Sequence, residues 1–118
     1  MKIVGFIITR NNGGLLEKAI NKCPGCLDKI FISDDNSNDN TYEIANRLNI
    51  EIFKNDGING YGGNVKNALK IAFEKFNADY VVEIHGDGAQ FDPSATYDAI
   101  KLINNNSDKP DLILGSRF

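Results

Sequence analysis

The chain has 118 residues, a formal net charge of −3 and 42% hydrophobic residues. That supplies one domain with a modest core and excludes a disordered polar segment. The acidic balance argues against a nucleic-acid binder, which gains affinity by neutralising phosphates, and no apolar run is long enough to span a bilayer.

The apolar run Ile3 to Ile8 reads as a strand covered on both faces. Met1-Lys2 before it could imitate a signal peptide, but no small-residue cleavage site follows. After the polar loop Thr9 to Gly14, Leu15, Leu16, Ala19 and Ile20 recur at helical spacing, and Pro24-Gly25 ends that helix. Cys23-Pro24-Gly25-Cys26 has redox-motif spacing, but the second cysteine leads into a strand rather than a helix. No second pair completes a zinc site, so two reduced thiols in a plain turn are expected, which suits the cytosol.

Ile30-Phe31-Ile32 is a second buried strand, running into Ser33-Asp34-Asp35-Asn36-Ser37-Asn38-Asp39-Asn40-Thr41. Ile44, Ala45 and Leu48 mark the core face of the next helix, and Ile50 to Phe53, with a charge at Glu51, reads as an edge strand. A glycine-rich loop, Asn55 to Asn64, precedes an amphipathic helix with Val65, Ala68, Leu69, Ala72, Phe73 and Phe76 on its apolar face. Tyr80 to Ile84 is a short buried strand entering the acidic loop His85-Gly86-Asp87-Gly88-Ala89-Gln90-Phe91. Asp92 as N-cap and Pro93 at the first helical position open a helix with Tyr97, Ile100 and Ile103 on one face. Asp111 to Gly115 reads as a last strand.

This alternation predicts an α/β fold: a Rossmann-like three-layer α/β/α arrangement around a mostly parallel sheet, as a single domain over 1–118. Ending at Phe118 directly after a strand, it reads as part of a longer protein. A dinucleotide-binding fingerprint fails at Thr9 to Gly14, and no Gly-Lys-Ser/Thr phosphate loop exists. A flavodoxin-like receiver would carry its acidic pair after the first strand, whereas here the pair follows the second.

Four stretches in order carry a resemblance. Ser33 to Thr41 resembles the Asp-Asp-Gly-Ser-x-Asp-x-Thr signature of family 2 glycosyltransferases of the GT-A fold. Asn59-Gly60-Tyr61-Gly62-Gly63-Asn64 is similar to the family's Asn-x-Gly-x-Gly loop. His85 to Pro93 is similar to the Asp-x-Asp-Gly-Gln-x-Asp-Pro segment, and Gly115-Ser116-Arg117-Phe118 to the sequence closing the donor half. Ile7 to Asn12 looks like a degenerate opening segment, lacking its proline, tyrosine and glutamate. The likeness spans the chain and is closest to the dolichol-phosphate-mannose-synthase-like branch.

The resemblance implies a donor domain binding a UDP- or GDP-linked sugar through Mg²⁺ or Mn²⁺, for inverting transfer to an acceptor hydroxyl or lipid phosphate. It assigns Asp34 and Asp35 to the nucleotide pocket, while Asp39 reads as a helix cap. Base contacts from the opening segment would come from backbone near Ile8 and Thr9, with Arg10 a phosphate contact. Gly60, Gly63 and Asn64 would let backbone approach the ligand at a helix N-terminus. Lys66 would add charge there or be a solvated helix lysine, and Tyr61 would stack on a base or cover the core edge. Gly86 and Asp87 belong to the acidic loop, with Asp87 a metal ligand.

His85 stands where the family has its first carboxylate. It would bind the metal, touch ribose or phosphate, or bond within the loop. Ala89 is an insertion that pushes Gln90 out of register. The catalytic base lies in the family's acceptor half, beyond Phe118, so little transfer is expected of these residues alone. Two other readings stand beside this one. A non-catalytic nucleotide-binding or scaffold module is favoured by His85. A nucleotidyltransferase would want a basic glycine loop, of which Arg10 to Gly14 is a faint echo. Membrane association through later segments, at the inner face, is compatible with a cytoplasmic domain.

Overall fold

The computed structural model describes residues 1–87 and 93–105. The order is β1 (Ile3–Thr9), α1 (Gly13–Asn21), β2 (Lys29–Asp34), α2 (Thr41–Arg47), β3 (Ile52–Lys54), α3 (Tyr61–Glu74), β4 (Tyr80–His85) and α4 (Pro93–Asn105). The expected strand over 111–115, the closing 115–118, and the expectations for Gln90 and for Asp92 as a cap lie outside the described residues.

Four strands form one sheet in the order β3-β2-β1-β4, and every pairing is parallel. β1 is buried at all seven positions, as its unbroken apolar run requires. Its side chains alternate between two cores. Val4, Phe6 and Ile8 join Phe31, Ala68 and Ala72 beneath α3. Ile7 joins Leu16, Ile32, Ala45 and Ile84 beneath α1 and α2. Helices therefore cover both faces, and β3, three residues long, is the expected edge.

The α3-side core is aromatic. Phe31 lies 6.3 Å from Phe6, 5.7 Å from Phe53 and 5.3 Å from Phe76, measured between ring centroids. Lys29 Nζ sits 5.1 Å above the Phe76 ring and Lys75 Nζ 4.8 Å above Phe53, so ammonium groups roof the rings where the core meets water.

Three side chains assigned to apolar faces point elsewhere. Leu15, Phe73 and Tyr97 are 45%, 46% and 47% exposed. In each helix the buried stripe is narrower than the periodicity suggested, falling on Leu16 and Ala19, on Ala68 and Ala72, and on Thr96 and Ile103. Phe76 lies beyond the last residue of α3 and packs against the α3-side core from the turn that follows. β4 is less buried than expected: Val81 and Val82 are half-buried and Glu83 is exposed, because α3 packs over β1 and β2. The glycine-rich loop also ends sooner than the sequence suggests, since Gly62, Gly63 and Asn64 form the first turn of α3.

Candidate functional site

The chain runs from β1 outward through β2 to β3, then crosses back to place β4 on the other side of β1. That reversal creates a switch point between β1 and β4, where the connections at the strand C-termini diverge and leave a crevice. A cavity of about 330 Å³ opens there, lined by Ile8, Thr9, Arg10, Asn12, Asp35, Gly60, Tyr61, Asn64, His85, Gly86 and Asp87. Asp35 and Asp87, far apart in sequence, face one cleft.

The two carboxylates at the end of β2 divide the work. Asp34 is fully buried, and its Oδ1 accepts the Thr9 hydroxyl at 2.7 Å and the Ser37 hydroxyl, while Oδ2 accepts the Ser37 N–H at 2.9 Å. It ties β1 to the β2–α2 loop and is absent from the cavity wall. Asp35 reaches the wall. Its N–H donates to the Thr9 carbonyl at 3.0 Å, Oδ1 accepts Asn55 Nδ2 at 3.1 Å, and Oδ2 accepts the Gly60 N–H at 2.9 Å. Arg10 Nη1 stands 4.0 Å from Oδ2, on a side chain 69% exposed at the cleft mouth.

Asparagines build the rim. Asn11 and Asn36 hold positive φ angles of 52° and 57°, a region asparagine enters more readily than most residues. The Asn11 N–H donates to Ser37 Oγ at 2.8 Å and its side-chain oxygen accepts the Asn38 N–H at 2.9 Å, lacing the loops after β1 and β2 together. The N-cap position of α2 falls on Asn40 rather than on Asp39; Asp39, one residue earlier, accepts the Thr41 N–H at 3.0 Å and, on its other oxygen, the Gly13 N–H at 3.0 Å, so it ties the starts of α2 and α1 together. The Thr41 hydroxyl, with those amides, holds its carboxyl below the ordinary value of 3.8.

The glycines act by close approach. Gly60 has φ +103°. A Cβ on Gly63 would lie 1.7 Å from the Ile58 carbonyl oxygen, so Gly63 seats the loop against its helix rather than lining the cavity. A Cβ on Gly86 would meet Ile8 O, Thr9 Cγ2 and Asn12 Oδ1 within 2.9 Å, and the Gly86 N–H donates to Ile8 O at 2.8 Å. Asn64 lines the cavity, but its amide is spent on Ser33, accepting the hydroxyl at 2.6 Å and donating to the carbonyl at 2.9 Å. Lys66 is exposed on α3 and does not line the cavity.

The last wall joins α3 to β4. The Tyr61 ring stacks on His85 with centroids 5.8 Å apart and an interplanar angle of 21°. The Tyr61 hydroxyl donates to Glu83 Oε1 at 2.6 Å, and His85 Nε2 stands 3.8 Å from Glu83 Oε2. The bond to Glu83, aided by burial, pushes the Tyr61 hydroxyl up to about 12. Sequence reasoning left Tyr61 between two roles and passed over Asn12, Asn55 and Glu83. Strand register, which sets Ile8 beside His85 and so brings β4's end to the cleft, together with Tyr61 at the start of α3, makes Glu83 relevant.

Two aspartates against one arginine leave the lining acidic, so a diphosphate would need a cation beside it. Among the described residues no three His, Cys, Asp or Glu side chains converge on one point. A single carboxylate with phosphate and water oxygens is nonetheless the usual habit of Mg²⁺. The donor set at Asp87 thus fits a phosphate-borne cation rather than a closed protein cage. No helix among the described residues is long and apolar enough to cross a membrane, and both cysteines are free.

Residues 6–117 match the profile of Glycosyl transferase family 2. An uncharacterized glycosyltransferase of Rickettsia felis is 29% identical over 86 residues, spanning 73% of this chain and 29% of that protein. The crystal structure of S. aureus TarS 1–349 in complex with UDP-GlcNAc superposes with a TM-score of 0.65 at 16% identity, covering 88% of this chain and 31% of TarS. At that identity the likeness shows the fold, which is the GT-A arrangement. The chain spans about three tenths of the length of each of these two relatives.

Proposed function

Because the chain belongs to Glycosyl transferase family 2, we propose that the cleft is the donor site of a nucleotide-sugar transferase. The donor would be a UDP- or GDP-linked sugar, transferred with inversion to an acceptor hydroxyl or lipid phosphate. The observation that carries this reading is that Asp35, the start of α3 and Asp87 all face one cavity at the β1–β4 switch point. TarS, of the same fold, was crystallised with UDP-GlcNAc.

Each wall then has a task. Asp35, fixed by Asn55 and Gly60, retains lone pairs for a base N–H or ribose hydroxyl. The backbone of Ile8 and Thr9 borders the same end of the cleft. The first turn of α3, which carries no acidic side chain, turns its positive dipole end toward the diphosphate. Gly86 lets the chain pass against β1, delivering Asp87 to the cleft. Asp87, with His85 beside it, would hold a Mg²⁺ or Mn²⁺ ion. Such an ion, when bound, stabilises charge on the departing nucleotide.

Calorimetric titration with UDP, GDP and CDP, each with and without Mn²⁺, tests the reading. Metal-dependent binding of UDP or GDP that Asp87→Ala abolishes supports it, and absence of any nucleotide binding contradicts it. A second reading, a nucleotide-binding module without chemistry, is favoured by His85, whose Nε2 is turned toward Glu83. Binding indifferent to metal would support that module instead.

A further inference from the structure

We propose that Glu83 is a positioning residue for the cleft: it fixes the Tyr61–His85 stack as a rigid wall beside Asp87. This rests on the donor-site reading above. Val81, Glu83 and His85 alternate with Ile84 along β4, so Glu83 and His85 share one sheet face and Ile84 takes the other, packing among Ile7, Leu16 and Ile32. Tyr61, the first residue of α3, lies over the Glu83–His85 face. One Glu83 oxygen accepts the Tyr61 hydroxyl at 2.6 Å, and the other stands 3.8 Å from His85 Nε2. The two rings are nearly parallel at 21°, and both line the cavity.

Neither ring is held by core packing. Tyr61 is exposed and His85 half-buried, so each would sample several rotamers if left alone. The Glu83 carboxylate tethers the Tyr61 ring by a hydrogen bond, and that ring, stacked on His85 beside the same carboxylate, removes much of this freedom before a ligand arrives. Ordering a side chain at the moment of binding weakens affinity, so a wall fixed beforehand strengthens it. Glu83 itself does not line the cavity and acts only through the two rings.

The chain contains one histidine, which makes the wall directly visible. In the untagged protein, the imidazole proton resonances of His85 are expected upfield of their free position, shifted by the Tyr61 ring. Glu83→Ala moves them to the free position and weakens UDP or GDP binding about threefold to tenfold. Glu83→Gln, which keeps an acceptor for the Tyr61 hydroxyl, holds the upfield shift and most of the affinity. Tyr61→Phe reproduces the Glu83→Ala result, because the ring is retained but its tether is lost. If Glu83→Ala releases the histidine signal while nucleotide affinity stays within twofold, the positioning role is overturned and the donor site stands. Should wild-type protein bind no nucleotide in the presence of Mn²⁺, the donor-site reading fails and the positioning role fails with it. An unshifted histidine signal in the wild type overturns the stack itself.

Discussion

The Asp35 carboxylate accepts the Gly60 amide at 2.9 Å across 25 residues of sequence. This bond joins the end of β2 to the mouth of α3, so a candidate ligand contact is also a structural tie. Asp35→Ala leaves the Gly60 N–H without its acceptor and the Asn55 amide with only the Ile58 carbonyl. The expected cost is about 1–3 kcal/mol of stability, read by urea denaturation. The expected loss of UDP or GDP affinity is more than tenfold, read by calorimetry on the folded variant. Full retention of affinity would remove Asp35 from the site.

Two neighbouring glycines should respond in opposite directions. A Cβ on Gly63 collides with the Ile58 carbonyl, whereas one on Gly62 meets nothing within 4 Å. Both lie in the first turn of α3. Gly62→Ala should raise stability by about 0.5–1 kcal/mol, as alanine loses less backbone freedom in a helix. Gly63→Ala should lower the melting temperature and, by shifting the loop, weaken nucleotide binding. Equal behaviour of the two variants in thermal melts would contradict this packing.

Phe31 sits at the centre of the aromatic core, fully buried against three other phenylalanines. Phe31→Ala is expected to cost about 3–5 kcal/mol. The same change at Phe73, 46% exposed, is expected to stay within about 0.5 kcal/mol. Chemical denaturation of both variants separates the two environments.

Asp39 gives a pH signature. Its carboxyl is held below the usual 3.8, first by the Thr41 hydroxyl and further by the amides of Gly13 and Thr41. A depressed folded value means the charged form favours the folded state, so its contribution is present above 3.8 and lost as pH falls through the lowered value. The stability gap between wild type and Asp39→Ala should therefore be flat near neutrality and narrow only in the acid limb below 3.8. A gap that narrows instead between pH 6 and 8, in melts run across that range, would exclude this cause.

How much of this was legible beforehand depended on the kind of signal. Ile3 to Ile8 and Ile30 to Ile32 declared buried parallel strands because unbroken apolar runs have few other homes. The break at Pro24-Gly25 and the edge character of β3 followed from equally local chemistry. Helix faces were legible only approximately, since periodicity cannot say how wide a stripe its neighbours cover; Leu15, Phe73 and Tyr97 fell outside it. At the cleft, Asp35 and Asp87 were visible as strand-end carboxylates. Asp34 looked the same in sequence, yet the structure spends it on Thr9, its partner in the strand register, and on Ser37 in the loop that follows β2. Glu83 gave no signal, because one charge in a strand acquires meaning only when α3 brings Tyr61 over it.

The most direct test of the central claim is an amide NMR titration of the chain with UDP and with GDP in the presence of Mg²⁺. The account predicts shifts concentrated at Thr9, Asp35, Gly60, Tyr61, Gly86 and Asp87. Saturable shifts confined to α4 or to the Cys23–Cys26 turn, with those six amides unmoved, would contradict it.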